Sequence, residues 1–430
     1  MSYRELTSRR RGHDGSGDSE ASRTTSLMEK MMESIQLEER LNPKLTLKRF
    51  LSVRSVISTN SSFAERQQAA VGTRSEFRSI GAGTCGRVFQ VPGTVDIFKV
   101  AIYPGQITDQ LWNDYITHIK VSKIFEEIGR DKLQVRVPMH KYFVGQDDST
   151  WWNENLARFP KQLVDAPSNV LCAERILPLA KPIREALIDL YCPADARAIF
   201  KADRPNKDCL IRLYMGARRR PLKSKFTGFQ LRNFPLFLDQ MEDLELDIAD
   251  FASSIGEALA MMHWACHLDA NDVEFVLGSA PEYTAEPALI LTKPLSIQQV
   301  SSMKPNTSTW NAHLADFKRR TTHIWMLDFN RCAEFQPGQS GLQQLVHAFF
   351  RNDPYFPKPL AALVRDQQLW TCFRKSYEHT SDLCFQSDKS EARHSQLPKR
   401  FVEMVVEEQR SRLEKQKAMM PEDQELERGG

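Results

Sequence analysis

Four short motifs in one fixed order constrain this chain more than any other feature. They are Gly81-Ala82-Gly83-Thr84-Cys85-Gly86-Arg87-Val88, then Lys99 after Ile97-Phe98, then His267-Leu268-Asp269, then Asp328-Phe329-Asn330. Each is weak alone. Their chemistry runs in series. A glycine-rich backbone without Cβ atoms closes over phosphates. A lysine in an apolar strand pattern needs a charged partner. One aspartate is suited to accept a hydroxyl proton. The other, after an apolar strand, is suited to hold a divalent cation.

A G-x-G-x-x-G segment also occurs in dinucleotide-binding folds, where a helix follows the loop and its N-terminus holds pyrophosphate. Here Arg87 to Val91 reads as a strand and Pro92-Gly93 as a turn. The valine two places after the last glycine fits the G-x-G-x-x-G-x-V form, which lies over nucleotide phosphates. A hairpin with no ligand is the plainer reading of this segment. Lys99 stands on the next strand. Its expected partners are nucleotide phosphates and an acidic residue of the following helix, Asp114 in its early turns or, alternatively, Glu126 or Glu127 at its end. A lysine pointing to water from an edge strand is the alternative. Asp269 falls at the catalytic base of an H-R-D-x-x-x-x-N template. The metal-binding asparagine of that template is replaced by Glu274, with Asp272 as an alternative ligand. Asp328 is the second metal candidate, and Asn330 replaces the glycine of D-F-G. No A-P-E motif follows.

These motifs predict an α+β, two-lobed protein-kinase-like fold with a small β-rich N-lobe and a larger helical C-lobe. Residues 1–70 form a disordered extension with an amphipathic helix near 26–41. Residues 71–178 form the N-lobe. Residues 179–395 form the C-lobe, with an insertion near 279–320, and 396–430 form a C-terminal helix and charged tail. The nucleotide-binding set is Gly81, Gly83, Gly86, Val88, Lys99 and Asp114, with Glu174 on the strand entering the hinge near Cys172–Pro178. The catalytic set is Asp269 and Lys99, and the metal set Asp328, Glu274 and Asp272. Helical periodicity is clearest over Leu246–Trp264 and is also present over Asp109–Ile128. The segment Trp151–Asn169 reads as a polar insertion between strands.

The 430 residues, 41% of them hydrophobic, support a large core. A net charge of +3 gives no general pull toward nucleic acid or membrane, and no apolar run is long enough to span a bilayer. Eight scattered cysteines without a C-x-x-C pair read as reduced thiols of an intracellular protein, cytoplasmic or nuclear. His263, Cys266 and His267 are the nearest approach to a zinc set, and their spacing argues against one. The basic segment 218–232 reads as a solvated loop or, alternatively, a partner surface, and the helix near 26–41 as docking on the folded body or, alternatively, binding a partner.

The blocks Met261–Trp264, Asp269–Gly278, Trp325–Asn330 and Phe349–Pro357 resemble a fungal family of unknown function sometimes labelled zinc-finger-like. The resemblance spans about Arg78 to Thr380. It implies a fungal source, carries no settled activity, and makes Glu274 and Asn330 parts of a family pattern. The compact run after Asp328 resembles aminoglycoside- and choline-type kinases more than signalling kinases. Three functions follow as expectations. The first is a pseudokinase-like binding or regulatory module. The second is an atypical ATP- and magnesium-dependent phosphotransferase acting on a small-molecule or protein hydroxyl. The third is a zinc-dependent transcriptional regulator.

Overall fold

The computed structural model describes residues 42–52, 56–58, 75–83, 85–102, 110–128, 133–219, 229–282, 301, 316–387 and 393–418. The helix expected near 26–41, residues 220–228 of the basic segment, most of the insertion near 279–320, and residues 419–430 of the tail lie outside that set.

The chain is a mixed helix-and-sheet molecule. Helix α1 (Pro43–Phe50) and strand β1 (Val56–Ser58) come first, then β2 (Arg78–Ala82), β3 (Gly86–Gln90), β4 (Asp96–Ala101) and the long α2 (Gln110–Ile128). Next come β5 (Val135–Arg136), β6 (His140–Val144), α3 (Ser149–Asn155) and β7 (Val170–Glu174). The second half holds α4 (Lys181–Tyr191), α5 (Arg197–Ala202), β8 (Ile211–Tyr214), β9 (Phe234–Phe237), α6 (Leu238–Asp243) and α7 (Ile248–Ala260). It continues with β10 (Glu274–Glu282), β11 (Asp316–Leu327), α8 (Gln339–Arg351), α9 (Val364–Ser387) and α10 (Leu397–Ala418).

The first sheet is five-stranded, in the order β2-β3-β4-β7-β6, and antiparallel throughout. In β4 the period of two sends Phe98 and Val100 into a core with Phe77, Phe89, Trp152 and Phe159, and turns Lys99 to the other face. The rings meet edge to face, Phe77 on Phe98 at 5.2 Å and Phe89 on Phe159 at 5.0 Å.

Residues 151–169 are therefore not a polar insertion. Asp148 caps α3 by accepting from the Trp151 amide at 3.0 Å. Trp152, Phe159 and Val164 then bury against the sheet. The polar residues between them mask the aromatic spacing in sequence.

Residues 175–180 lead from the first sheet to the second, where Leu177 and Ser279 exchange backbone hydrogen bonds of 2.9 and 2.8 Å. The second sheet runs β1-β11-β10-β8-β9, with β5 parallel beside β11. Its long hairpin, β10 with β11, begins at the register pair Glu274↔Leu327 and so sets the position of Asp328. The larger core is helical. Ile255, Leu259 and Met262 from the α7 region bury with Phe373 and Tyr377 of α9 and Phe401 of α10.

The helix expected over Leu246–Trp264 is regular only to Ala260, after Asp247 caps it through the Asp250 amide. It then widens to a π-helical turn over Met261–Ala265. That turn places His263 Nδ1 3.0 Å from Tyr377 Oη, while Trp264 Nε1 donates to the same oxygen at 2.8 Å. Both ring nitrogens thus reach one hydroxyl, which a strictly regular helix would present less well.

Candidate functional site

Lys99 leaves the face of β4 opposite the aromatic core and ends between two carboxylates. Its Nζ lies 2.7 Å from Asp114 Oδ2 on α2 and 2.9 Å from Asp328 Oδ1 after β11. Burial works against the ammonium, but Asp114 and then Asp328 outweigh it and hold its pKa well above the ordinary lysine value. The other oxygen of Asp114 accepts from the Phe329 amide at 3.1 Å. One aspartate therefore ties the lysine and the Asp328-Phe329 turn together. Asp328 itself sits at φ 68°, and Phe329 is buried against His118 with ring centroids 5.3 Å apart.

The glycine motif is the turn between β2 and β3, closed by Gly83 N donating to Gly86 O at 2.9 Å. Gly86 is required by close approach. A Cβ there would lie 3.0 Å from both Lys99 Cγ and Val100 O. Gly81 and Gly83 have no such restriction, since a Cβ at Gly83 would meet nothing within 4 Å. Val88 is the register partner of Lys99. Cys85, Asp114 and Asp328 offer ligand atoms within 4.8 Å of one another. The Lys99 ammonium, bonded to both aspartates, is the cation of that group. Burial raises the Cys85 thiol, and Lys99 pulls it back.

Asp269 is 5% exposed. Its Oδ1 accepts from the Asn271 amide at 3.1 Å and the Ala333 amide at 2.9 Å, and its Oδ2 accepts from Gln344 Nε2 at 2.8 Å. Its own amide donates to Ala333 O at 2.9 Å. The carboxylate thus pins the loop to the segment after Asp328 and to α8. The loop takes left-handed backbone at His267, Ala270 and Asp272. Asn352 fixes that shape by accepting from the Asp272 amide at 2.6 Å and donating to Ala270 O at 2.8 Å.

Glu274 meets Arg212 Nη2 at 2.5 Å across β8 and β10. Burial lifts its carboxyl to about 7, with Arg212 pulling it down and Asp328 and Asp272 adding to the rise. Asp272 lies 3.4 Å from Arg331 Nε. The carboxylates of Asp328, Glu274 and Asp272 do not form a group of ligand atoms within 4.8 Å of one another. Glu174, at the end of β7, accepts from the Met139 amide at 2.9 Å, so its carboxylate is engaged in holding the chain before β6. Cys266 and His263 are buried, with His263 turned to Tyr377 as described above.

A family model described as a zinc finger protein matches residues 324–389, a segment holding Asp328, α8 and α9. No curated protein matches the chain in sequence. Solved structures similar to it include two phosphotransferase complexes. One is a GDP and kanamycin complex of a type IIIa aminoglycoside phosphotransferase, at 12% identity, covering 80% of this chain and 96% of that one with a TM-score of 0.20. The other is a GDP complex of a point mutant of such an enzyme, at 11% identity, covering 81% and 97% with a TM-score of 0.19. Scores that low carry no argument. The zinc-finger label stands against the sequence expectation that zinc is not bound. Among the described residues, the cluster offering ligands for an ion is the one around Lys99.

Arg212, Arg331 and Asn352 were missed by sequence reasoning. Asn352 stands in the Phe349–Pro357 block, which was singled out without a role. Arg212 carries one usable signal: a charge in the short apolar run Ile211–Tyr214. In the basic segment, Arg218 binds Glu242 and Asp366, Arg219 binds Asp239 at 2.6 Å, and Arg232 binds Asp208 at 3.3 Å. These side chains serve internal ion pairs.

Among the described residues, no helix is long and apolar enough to cross a membrane.

Proposed function

We propose that this chain is a kinase-like, nucleotide-binding protein whose cleft serves a binding or regulatory role rather than efficient phosphoryl transfer. The observation that carries the reading is the double ion pair of Lys99 with Asp114 and Asp328 beneath the Gly81–Gly86 turn. That arrangement brings a phosphate-binding lysine, a helix carboxylate and a metal-position aspartate to one point, as phosphoryl-transfer folds require. In this reading residues 71–178 are the small lobe and 179–395 the large one, with nucleotide between them. Gly81, Gly83 and Gly86 cover the phosphates, Val88 faces the base, and Lys99 holds the phosphates.

The binding role is favoured over catalysis by two engaged carboxylates. Asp269, at the base position, already accepts three hydrogen bonds, leaving about one of its four lone-pair sites for a substrate hydroxyl. Glu274, at the metal position, is held by Arg212. A base needs a free lone pair within hydrogen-bond reach of the substrate hydroxyl.

The test is a thermal shift with ATP alongside an ATP-turnover assay. ATP should raise the melting temperature, and Lys99→Met should abolish that rise while turnover stays at background. Magnesium-dependent phosphate transfer that vanishes in both Asp269→Ala and Asp328→Ala would make the chain a phosphotransferase instead. A wild-type melting temperature indifferent to nucleotide would remove the reading altogether.

A further inference from the structure

Each carboxylate that could serve magnesium in this cleft already faces a basic side chain. Asp328 faces Lys99 at 2.9 Å, Glu274 faces Arg212 at 2.5 Å, and Asp272 faces Arg331 at 3.4 Å. The last pair is solvent-exposed and weak, but the first two are largely shielded. Magnesium requires near-octahedral oxygen ligation at about 2.0–2.1 Å and gives up its waters reluctantly. To bind between Asp328 and Glu274 it would have to expel an ammonium and a guanidinium from carboxylates they already neutralise. The donor set therefore does not fit the ion that the motif order implies.

A second observation lies beside the first. Tyr355 is 7% exposed, and its Oη has no hydrogen-bond partner; the same holds for Arg212 Nε. A buried hydroxyl and a buried guanidinium N–H are costly when unmatched. The phenol lies among Glu274, Arg212 and Tyr214, and its ring stands edge-on to Tyr214 with centroids 5.4 Å apart. The Arg212 Nε–H is a donor, and the Tyr355 hydroxyl can donate or accept; both groups lie near the Glu274 carboxylate. A phosphate oxygen can accept from both, whereas a metal ion can accept from neither. Arg guanidinium groups suit phosphate because their donors form a rigid fork.

We infer that the cleft binds nucleotide polyphosphate without a divalent cation, with the Arg212 guanidinium, held on Glu274 and next to Tyr355, taking the place of the metal. This rests on the nucleotide reading above. Lys99 and Arg212 are then the two cations that neutralise the phosphates, and Glu274 orients Arg212 rather than ligating magnesium. The replacement of the template asparagine by glutamate follows from that role, because an asparagine would not hold a guanidinium by charge.

ATP affinity of the full chain is measured by calorimetry in EDTA and again in excess magnesium. Wild-type affinities should agree within about threefold. Arg212→Met should weaken binding in EDTA by about tenfold or more, with part of the loss recovered by magnesium once Glu274 is released. Arg212→Met leaves a half-buried carboxylate unpaired, so the double variant Arg212→Met/Glu274→Gln, which removes that charge, is measured beside it and should show the same loss in EDTA. Wild-type binding that falls about tenfold or more in EDTA overturns the inference and leaves the nucleotide reading standing. Undiminished EDTA binding by the double variant also overturns it. Binding in neither condition sinks both.

Discussion

The imidazole of His263 is 1% exposed where the π-helical turn meets α9, with Nδ1 facing Tyr377 Oη at 3.0 Å. Burial holds its pKa at about 3, against a small upward pull from a hydrogen bond to the Asp269 backbone. The unfolded chain binds that proton with an ordinary pKa of about 6.5. Between those values the unfolded state carries a proton that the native state refuses, so stability falls as pH drops. The contribution is complete above about pH 6.5 and is lost at about 1.4 kcal/mol per pH unit below it. Urea unfolding of wild type and His263→Gln across that window should show a shallower acid slope for the variant. Parallel slopes would mean that His263 does not stay neutral.

The sequence offered His263 only as part of a weak zinc set. Its actual partner is Tyr377, 114 residues later, and no local spacing reports that. Lys99 was easier, because a lone charge in Ile97–Ala101 needs a counter-ion and Asp114 is the first acidic residue of the described part of the next helix. Arg212 reaches Glu274 across 62 residues and stayed invisible for the same reason as Tyr377.

At the scale of elements, periodicity marked the α7 region well, but the β10–β11 pairing continues past the apolar runs 273–277 and 324–327 into 279–282 and 316–320, which read as part of an insertion. Periodicity did not mark α3, whose aromatic residues are separated by polar ones, nor the end of α7 as a widened turn. It also did not mark how closely helices cross. Gly256 on α7 faces the backbone of α9, where an added Cβ would lie 2.4 Å from Phe373 O. A carbonyl cannot rotate aside as a flexible side chain can, so the helices must separate. Gly256→Ala should therefore destabilise by about 1–3 kcal/mol, the usual range for overpacking, even though alanine is the better helix former by about 1 kcal/mol. Chemical denaturation checks the sign. A stabilised variant would show that α7 and α9 have slack between them.

At the scale of the molecule, one buried carboxylate links the two sheets, in addition to the Lys99–Asp328 pair and the Leu177–Ser279 bridge. Asp208, 6% exposed in its side chain, receives both Nη atoms of Arg78 from β2 at 2.6 Å, Arg232 at 3.3 Å, and Arg175 at 3.7 Å. Arg175 and Asp208 are thus held together near the crossing between the sheets, and Arg78 reaches over from the first sheet, 130 residues away in sequence. Burial pulls the Arg175 guanidinium down to about 9, with Asp208 opposing and Arg78 and Arg320 adding to the fall. Asp208 is therefore the group that allows several guanidinium groups to sit so close together. Removing one partner of a buried pair costs about 3–5 kcal/mol because the remaining charge is stranded. Here the buried guanidinium is that of Arg175, whereas Arg78 and Arg232 still reach solvent, and the lost contacts are among those that join the sheets. Asp208→Asn should therefore do more than lower the melting temperature. It should split a single calorimetric unfolding transition into two, since coupling between the sheets is reduced while their separate cores, around Phe98 and around Phe373, are untouched. On the nucleotide reading proposed above, ATP should then shift both transitions less than it shifts the wild-type one, because a ligand held between the sheets needs them closed together. A variant that melts in one transition at the wild-type temperature would show that the carboxylate is not the strut between them.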